Sequence, residues 1–166
     1  LRKYSTGLSA TSACMGGEVA RAVAVNDIEK AKAIALEYQD IFGSGNFYIE
    51  LSHHPGIPNH TEIQTGLRRV AAEAGIPVVA TQDIHYLEPE DAKAQDVLLA
   101  VQTNTRLDDT DRLTMREDNF SMRSSDEMRQ LFADIPEAVE NTLKIAERVH
   151  VDLELGKLKL PHFDVP

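Results

Sequence analysis

The chain has a single cysteine among its 166 residues, and this excludes an internal disulfide. Cys14 is therefore a small buried residue, a reactive thiol or a metal ligand. No apolar run approaches the roughly eighteen residues that a membrane-spanning helix needs. Residues 1–4 lack the apolar core of a secretion signal. These absences predict a cytoplasmic protein without a membrane partner.

Basic residues are scarce, with 17 Lys and Arg against 27 Asp and Glu and a net charge of −10. This balance argues against a broad basic face for a nucleic-acid backbone, so any DNA contact must come from a small patch or from elsewhere. The length and the 42% hydrophobic content suit one core rather than two full domains. The chain starts at Leu1, and its first residues are already typical of the middle of a folded segment. We therefore expect it to begin inside a longer protein.

Strand-like segments at residues 7–13, 46–51 and 77–81 alternate with helical patterns. The first runs into a glycine-rich turn, the second is aromatic and β-branched, and the third is a near-continuous apolar run. Strand, helix, strand, helix, strand with short connections is typical of parallel βα units. The predicted fold class is α/β, and both half of an α/β barrel and an open doubly wound sheet fit the pattern.

Capping patterns predict four helix starts, at Asn26 with Glu29, Asn59 with Glu62, Ser124 with Glu127, and Asp134 with Glu137. A further helix is predicted over residues 90–102, with Ala94, Val97, Leu98 and Val101 facing inward. Residues 104–118 are polar and charged and are predicted to form a long surface loop. The last two helices are expected to bury Met128, Leu131, Phe132, Val139, Leu143 and Ala146.

Asp83 and His85 follow the third predicted strand directly, so an extended backbone would point both side chains to the same side. Cys14 and Glu50 lie at or near the ends of the other two strands. Because sites in parallel α/β folds form at this edge, four potential ligands could share one rim. Carboxylate, imidazole and thiolate together suit zinc, or a mixed site with manganese or iron.

Each of these residues also has a simpler interpretation. The D-x-H triplet could be a loop cap followed by a surface histidine. Cys14 could be an inert buried thiol, and Glu50 an edge residue paired with a helix amide or an arginine. His54, beside a proline, is as compatible with a solvated loop as with a ligand.

Taken in order, several segments resemble the bacterial DNA polymerase III alpha subunit family. They are GLSATSACMGG at 7–17, FYIEL at 47–51, ATQDIHYLEPEDAKAQDVLLAVQT at 80–103 and LKLPHFDVP at 158–166. The resemblance implies the later half of a distorted (β/α)7 barrel of the PHP (polymerase and histidinol phosphatase) type. Residues 1–104 would belong to this barrel, residues 105–157 would complete the PHP domain with a connector and helices, and residues 158–166 would begin the link to the polymerase palm.

In that family, the cysteine, aspartate and histidine ligands of a metal cluster fall on Cys14, Asp83 and His85. The resemblance implies zinc, manganese or iron there, magnesium at a polymerase site outside this chain, and 3′ to 5′ proofreading exonuclease activity. Glu50 is not carried over as a ligand from the family, and its position makes it, with His54, a candidate for support of the ligands. DNA and other replicase subunits are the implied partners. Because the family's remaining ligands lie upstream, the chain alone is expected to be inactive, and no catalytic residue is assigned to it.

Two other functions fit the residues. The segment could be a structural and interaction module that braces the polymerase. It could also be a stand-alone PHP phosphatase for a small phosphate ester, although the closing LKLPHFDVP and the long connector at 104–118 speak against that.

Overall fold

The computed structural model describes residues 1–158 and residue 160. In this part of the chain the strands are Ala10–Thr11 (β1), Phe47–Leu51 (β2) and Val78–Ala80 (β3). The α-helices are Glu18–Ala24 (α1), Ile28–Phe42 (α2), His60–Ala74 (α3), Ala92–Gln102 (α4), Ser125–Leu131 (α5) and Pro136–Arg148 (α6), with short 3-10 helices at Arg2–Tyr4 and Pro89–Asp91. Most of the predicted palm link, residues 159 and 161–166, lies outside the described residues. None of the described helices is long and apolar enough to cross a membrane.

The three strands form one parallel sheet in the order β1-β2-β3. Ala10 pairs with Phe47, and Ile49 pairs with Val78. Helices α1 and α2 connect β1 to β2, and α3 connects β2 to β3, so the predicted mixed α/β fold with parallel units is confirmed. All three residues of β3 are buried, as its apolar run predicted.

One hydrophobic cluster joins the sheet to helices from both ends of the chain. Its largest fully buried side chains include Phe47, Ile49, Leu51, Leu67 and Phe132. Helices α1, α2 and α3 pack against one another, and α6 packs against β3. The residues after the connector are therefore part of the same core as the sheet.

Helix α1 has no counterpart among the predicted elements. It is only seven residues long, and its four buried residues, Val19, Ala20, Ala22 and Val23, are small or β-branched and lie on one face, with Glu18, Arg21 and Ala24 exposed on the other. Two helical turns are too short for this periodicity to predict a helix with certainty from the sequence. It forms here because its buried face packs against α2 and α3.

Three of the four predicted caps differ in the structure. Asp27, not Asn26, caps α2 by accepting a hydrogen bond from the Lys30 amide at 3.1 Å. Asn59 precedes α3 in a left-handed conformation and makes no side-chain cap. Asp134 pairs with Arg68 instead of capping α6. The capping box of Ser124 and Glu127 at α5 is confirmed.

The predicted inward face of α4 is wrong. Val97, Leu98 and Val101 are exposed, and Ala94 is exposed with them, whereas Asp96, Leu99 and Ala100 are buried. The helix turns Asp96 inward because two arginines of the connector neutralise its charge there.

The prediction for α6 is also partly wrong, since Leu143 and Ala146 are exposed. Asn141 is buried instead, and its side-chain amide donates a 2.7 Å hydrogen bond to the Val78 carbonyl of β3. The helix is thus oriented by one polar contact to the sheet as well as by its apolar residues.

Candidate functional site

A cavity of about 500 Å³ lies where the three strands end. Cys14, Glu50, His54 and Asp83 line it, so four of the five residues singled out from the sequence share one space. A larger groove of about 700 Å³ runs along α5 and α6, but none of these five residues lines it. The smaller cavity is therefore the candidate site.

Cys14 reaches the cavity through a tight turn. Ala13, just before it, has a positive φ of 62°, and the Cys14 carbonyl accepts a 2.8 Å hydrogen bond from the Gly17 amide at the start of α1. The thiol is exposed, which is contrary to the interpretation of Cys14 as a buried inert residue. The only cysteine of the chain is therefore open to a ligand or a reagent.

Asp83 lies in the left-handed region, with φ of 54°. The residue before it is firmly held, because the buried Gln82 side chain donates to the carbonyls of Asn119 and Ser121 at 3.1 and 3.2 Å. The Asp83 side chain is 46% exposed and lines the cavity. The backbone therefore changes direction abruptly at Asp83, where an extended geometry was predicted.

His85 does not line the cavity. Its Nδ1 atom lies 2.7 Å from the Asp83 backbone carbonyl and 3.9 Å from the Asp83 carboxylate, and its ring meets Phe120 edge-on at 5.7 Å. Two residues of an extended strand would share a side, but the left-handed turn at Asp83 breaks that relation. The structure therefore brings Asp83 into the cavity and leaves the His85 ring beside its wall.

His54 is buried against the same wall, and its ring stacks on Phe120 at 4.5 Å. Its Nε2 lies 3.1 Å from the Gln82 carbonyl, so Nε2 carries the proton in the neutral ring and Nδ1 is left as the acceptor. Nδ1 has no hydrogen-bond partner among the described residues and lies 3.7 Å from the Asp118 carboxylate. His54 is thus a packed part of the wall rather than a solvated loop residue.

His60, the first residue of α3, extends this wall. Its Nε2 lies 3.1 Å from the Ser52 hydroxyl, and its ring meets His54 edge-on at 5.7 Å. Burial lowers the pKa of both histidines, and their mutual repulsion lowers the pKa of His60 further. Asp118 opposes the shift in the pKa of His54. Both rings therefore favour the neutral form in the folded protein.

The connector at 104–118 supplies further lining of the cavity, including Leu113 and Met115. Asp96 of α4 anchors this connector through two arginines. Arg112 is buried and binds both carboxylate oxygens of Asp96 at 2.7 and 2.6 Å, and Arg116 binds the same carboxylate. The hydrogen bonds from Arg112 hold the pKa of Asp96 well below its usual range. Sequence reasoning missed this anchor, although a lone aspartate within the apolar run DVLLAV was a signal for it.

The potential metal ligands of the described residues do not form a complete metal centre. No three His, Cys, Asp or Glu side chains between residues 1 and 158, or at 160, are grouped closely enough to hold an ion. Cys14 and Asp83 share the cavity, but His85 lies outside its lining. Among the described residues, the chain therefore presents Cys14 and Asp83 in one cavity without a third donor grouped closely enough to hold an ion.

Comparison with known proteins first identifies the domain family to which part of the chain is similar. The family model for the PHP domain matches residues 1–54, which contain β1, β2 and the helices between them. The chain is 42% identical over 148 residues to DNA polymerase III subunit alpha of Borreliella burgdorferi, an alignment that covers 89% of this chain and 13% of the relative. The corresponding proteins of Helicobacter pylori strain J99 and Treponema pallidum are 39% and 35% identical, over 93% and 100% of this chain and 14% of each relative.

These matches show that the chain belongs to the bacterial DNA polymerase III alpha subunit family, and the resemblance seen in the sequence motifs is confirmed. The chain spans only 13 to 14% of the length of these relatives.

Proposed function

We propose that this chain works as a segment of a replicative DNA polymerase III alpha subunit, an enzyme whose activity is DNA-directed DNA synthesis. The observation that carries the proposal is the 42% identity to such a subunit over 89% of the chain. The partners proposed for the whole protein are DNA and other replicase subunits, and magnesium would serve a polymerase site outside this chain. A cytoplasmic location stays a prediction.

For the fold, we propose that β1, β2 and β3 are consecutive strands of the later part of a distorted (β/α)7 barrel. Their parallel order and the helical connections between them support this. Strands from polypeptide outside this chain would complete the barrel. The division into residues 1–104, 105–157 and 158–166 also stays a prediction, and the shared core suggests that the first two parts fold together.

For the site, we propose that Cys14, Asp83 and His85 contribute to a metal centre of zinc, manganese or iron used for 3′ to 5′ exonuclease proofreading. The shared cavity of Cys14 and Asp83 supports this, and a thiolate with a carboxylate suits such ions. The donor set needs ligands from outside the chain and a reorientation of His85.

A second function is favoured by the position of His85. Its Nδ1 faces the Asp83 carbonyl and its ring packs on Phe120, which is what a purely structural module would show. In that case the segment braces the polymerase without hydrolysing anything. A stand-alone phosphatase is less consistent with relatives of which this chain spans only 13 to 14%.

The test is metal content by plasma emission on the chain purified without chelator, beside a variant with Asp83→Ala and His85→Ala. A matched control carries Asp108→Ala and His150→Ala, which change the same residue types at exposed positions. Metal lost in the first variant and kept in the control would support the proposed ligands.

The complete subunit containing this segment then separates the two functions. Asp83→Ala should abolish its exonuclease activity and leave DNA synthesis intact if the site is hydrolytic. Unchanged exonuclease activity in a folded variant would refute the hydrolytic role and leave the bracing role.

A further inference from the structure

The Glu50 side chain on β2 links β1 to the residue that directly follows β3. It lies on β2, the middle strand, and its Oε2 accepts a 2.7 Å hydrogen bond from the Thr11 hydroxyl. Its Oε1 accepts a 3.0 Å hydrogen bond from the Thr81 hydroxyl. We call this arrangement the Thr11–Glu50–Thr81 clasp. It contradicts the interpretation of Glu50 as a partner of a helix amide or an arginine.

The clasp lies beside the last backbone pairs of the sheet. The β1–β2 register ends at Thr11 with Tyr48, and the β2–β3 register ends at Leu51 with Ala80. Beyond these pairs, Ser12 accepts a 2.9 Å hydrogen bond from the Glu50 amide through its hydroxyl. At the same level the Ser12 amide donates to the Tyr48 carbonyl at 2.9 Å, and the Thr81 amide donates to the Leu51 carbonyl at 2.8 Å. Side chains and backbone therefore join the strands together at this end of the sheet.

The segments that follow β1 and β3 both leave the sheet through strained turns. Ala13 and Asp83 have positive φ angles of 62° and 54°, a conformation that non-glycine residues adopt only when their surroundings hold them. Cys14 comes three residues after Thr11, and Asp83 two residues after Thr81. The last cross-strand contacts before these turns include the two threonine hydroxyls of the clasp.

We propose that Glu50 is a positioning residue that sets the separation between Cys14 and Asp83 across the cavity. It acts through Thr11 and Thr81, and hydrogen bonds to a carboxylate are stronger than those between neutral groups. Sites that bind or react need their groups held to within about 0.5 Å, which a two-residue β1 alone does not ensure. The inference deepens the proposed function, because Cys14 and Asp83 are two of the proposed ligands.

The test uses Cys14 as a unique labelling point in the 166-residue chain. A nitroxide attached to its thiol broadens the amide signals of nearby residues, and the broadening falls steeply with distance. The signals of residues 82–85 therefore report the separation. No metal is needed. Amide signals of α2 and α6 show whether each variant is folded.

The variants remove or keep the hydroxyls while preserving shape. Replacing Thr11 and Thr81 with valine deletes both donors, whereas replacing them with serine keeps both. Glu50→Gln can still bond both hydroxyls, whereas Glu50→Ala cannot. We expect the broadening of residues 82–85 to shift in the valine pair and in Glu50→Ala, and to match the unaltered chain in the serine pair and in Glu50→Gln.

An unchanged profile in folded Glu50→Ala or in the folded valine pair would overturn the proposal. Should both fail to fold, the single variants Thr11→Val and Thr81→Val carry the same test, each removing one hydrogen bond. The outcome is separate from that of the proposed function. If the chain binds no metal but its broadening profile still depends on the clasp, the proposed metal site is refuted and the positioning role of Glu50 is retained.

Discussion

Phe132 offers a direct test of whether the helices after the connector belong to the same folding unit as the sheet. It is 1% exposed at the end of α5 and lies in the core cluster with Ile49 and Leu51. Truncating a fully buried phenylalanine to alanine removes its transfer free energy and leaves a cavity, at a cost of about 3–5 kcal/mol.

We therefore expect Phe132→Ala to lower the free energy of unfolding by about 3–5 kcal/mol, measured by urea denaturation followed by circular dichroism. For a chain of this length, each 1 kcal/mol corresponds to roughly 2–4 °C, so Tm should fall by about 6–20 °C. The urea slope should stay unchanged if the protein still unfolds in one step.

Leu143→Ala is the matched control, because Leu143 is 62% exposed on α6. Its effect should stay within about 0.5 kcal/mol. A loss below about 1 kcal/mol for Phe132→Ala, or a second unfolding transition, would refute the reasoning and show that α5 and α6 fold independently of the sheet.

Two further predictions concern packing and charge. A Cβ atom at Gly66 of α3 would lie 2.3 Å from the Val23 Cγ1 atom, so Gly66→Ala should cost about 1–3 kcal/mol in urea denaturation through overpacking. Asp96→Asn should destabilise the chain and speed proteolysis of residues 104–118, because it leaves the buried Arg112 without its anion. The pKa of Asp96 is lowered on folding, so its stabilisation is complete above its ordinary pKa of 3.8 and is lost as pH falls further.

Each of these two predictions has its own control. Gly16→Ala places a Cβ atom in open space and should show little of the Gly66→Ala effect. Asp108→Asn alters an exposed carboxylate of the same connector and should leave proteolysis unchanged. Equal stability of Gly66→Ala and Gly16→Ala would contradict the packing argument. The stability difference between Asp96→Asn and the unaltered chain should become smaller in acid. If it stays the same, the charge argument is contradicted.

The sequence by itself determined the order and type of most elements. The apolar run at 77–81 predicted the buried β3 because a strand covered on both faces has no polar side. Gly75 predicted the end of α3, where its φ of 64° is one that glycine adopts without strain. Family membership also followed from short segments kept in order along the chain.

The orientation of elements was decided only by tertiary contacts. Helix α4 buries Asp96 because Arg112 and Arg116, which are 16 and 20 residues further along the chain, bind its carboxylate. In the same way, Asn141 finds its partner at Val78, which is 63 residues distant. Hydrophobic periodicity records which residues are apolar, but not which polar residues will find partners that let them be buried.

The candidate site shows the same division. The strand-end positions of Cys14, Glu50 and Asp83 were visible in the sequence, since residues that follow parallel strands meet at one edge. The left-handed turn that separates Asp83 from His85 and the clasp of Glu50 with threonines 31 and 39 residues away were not. Both arise from backbone and side-chain contacts between distant segments, which exist only once the sheet has assembled.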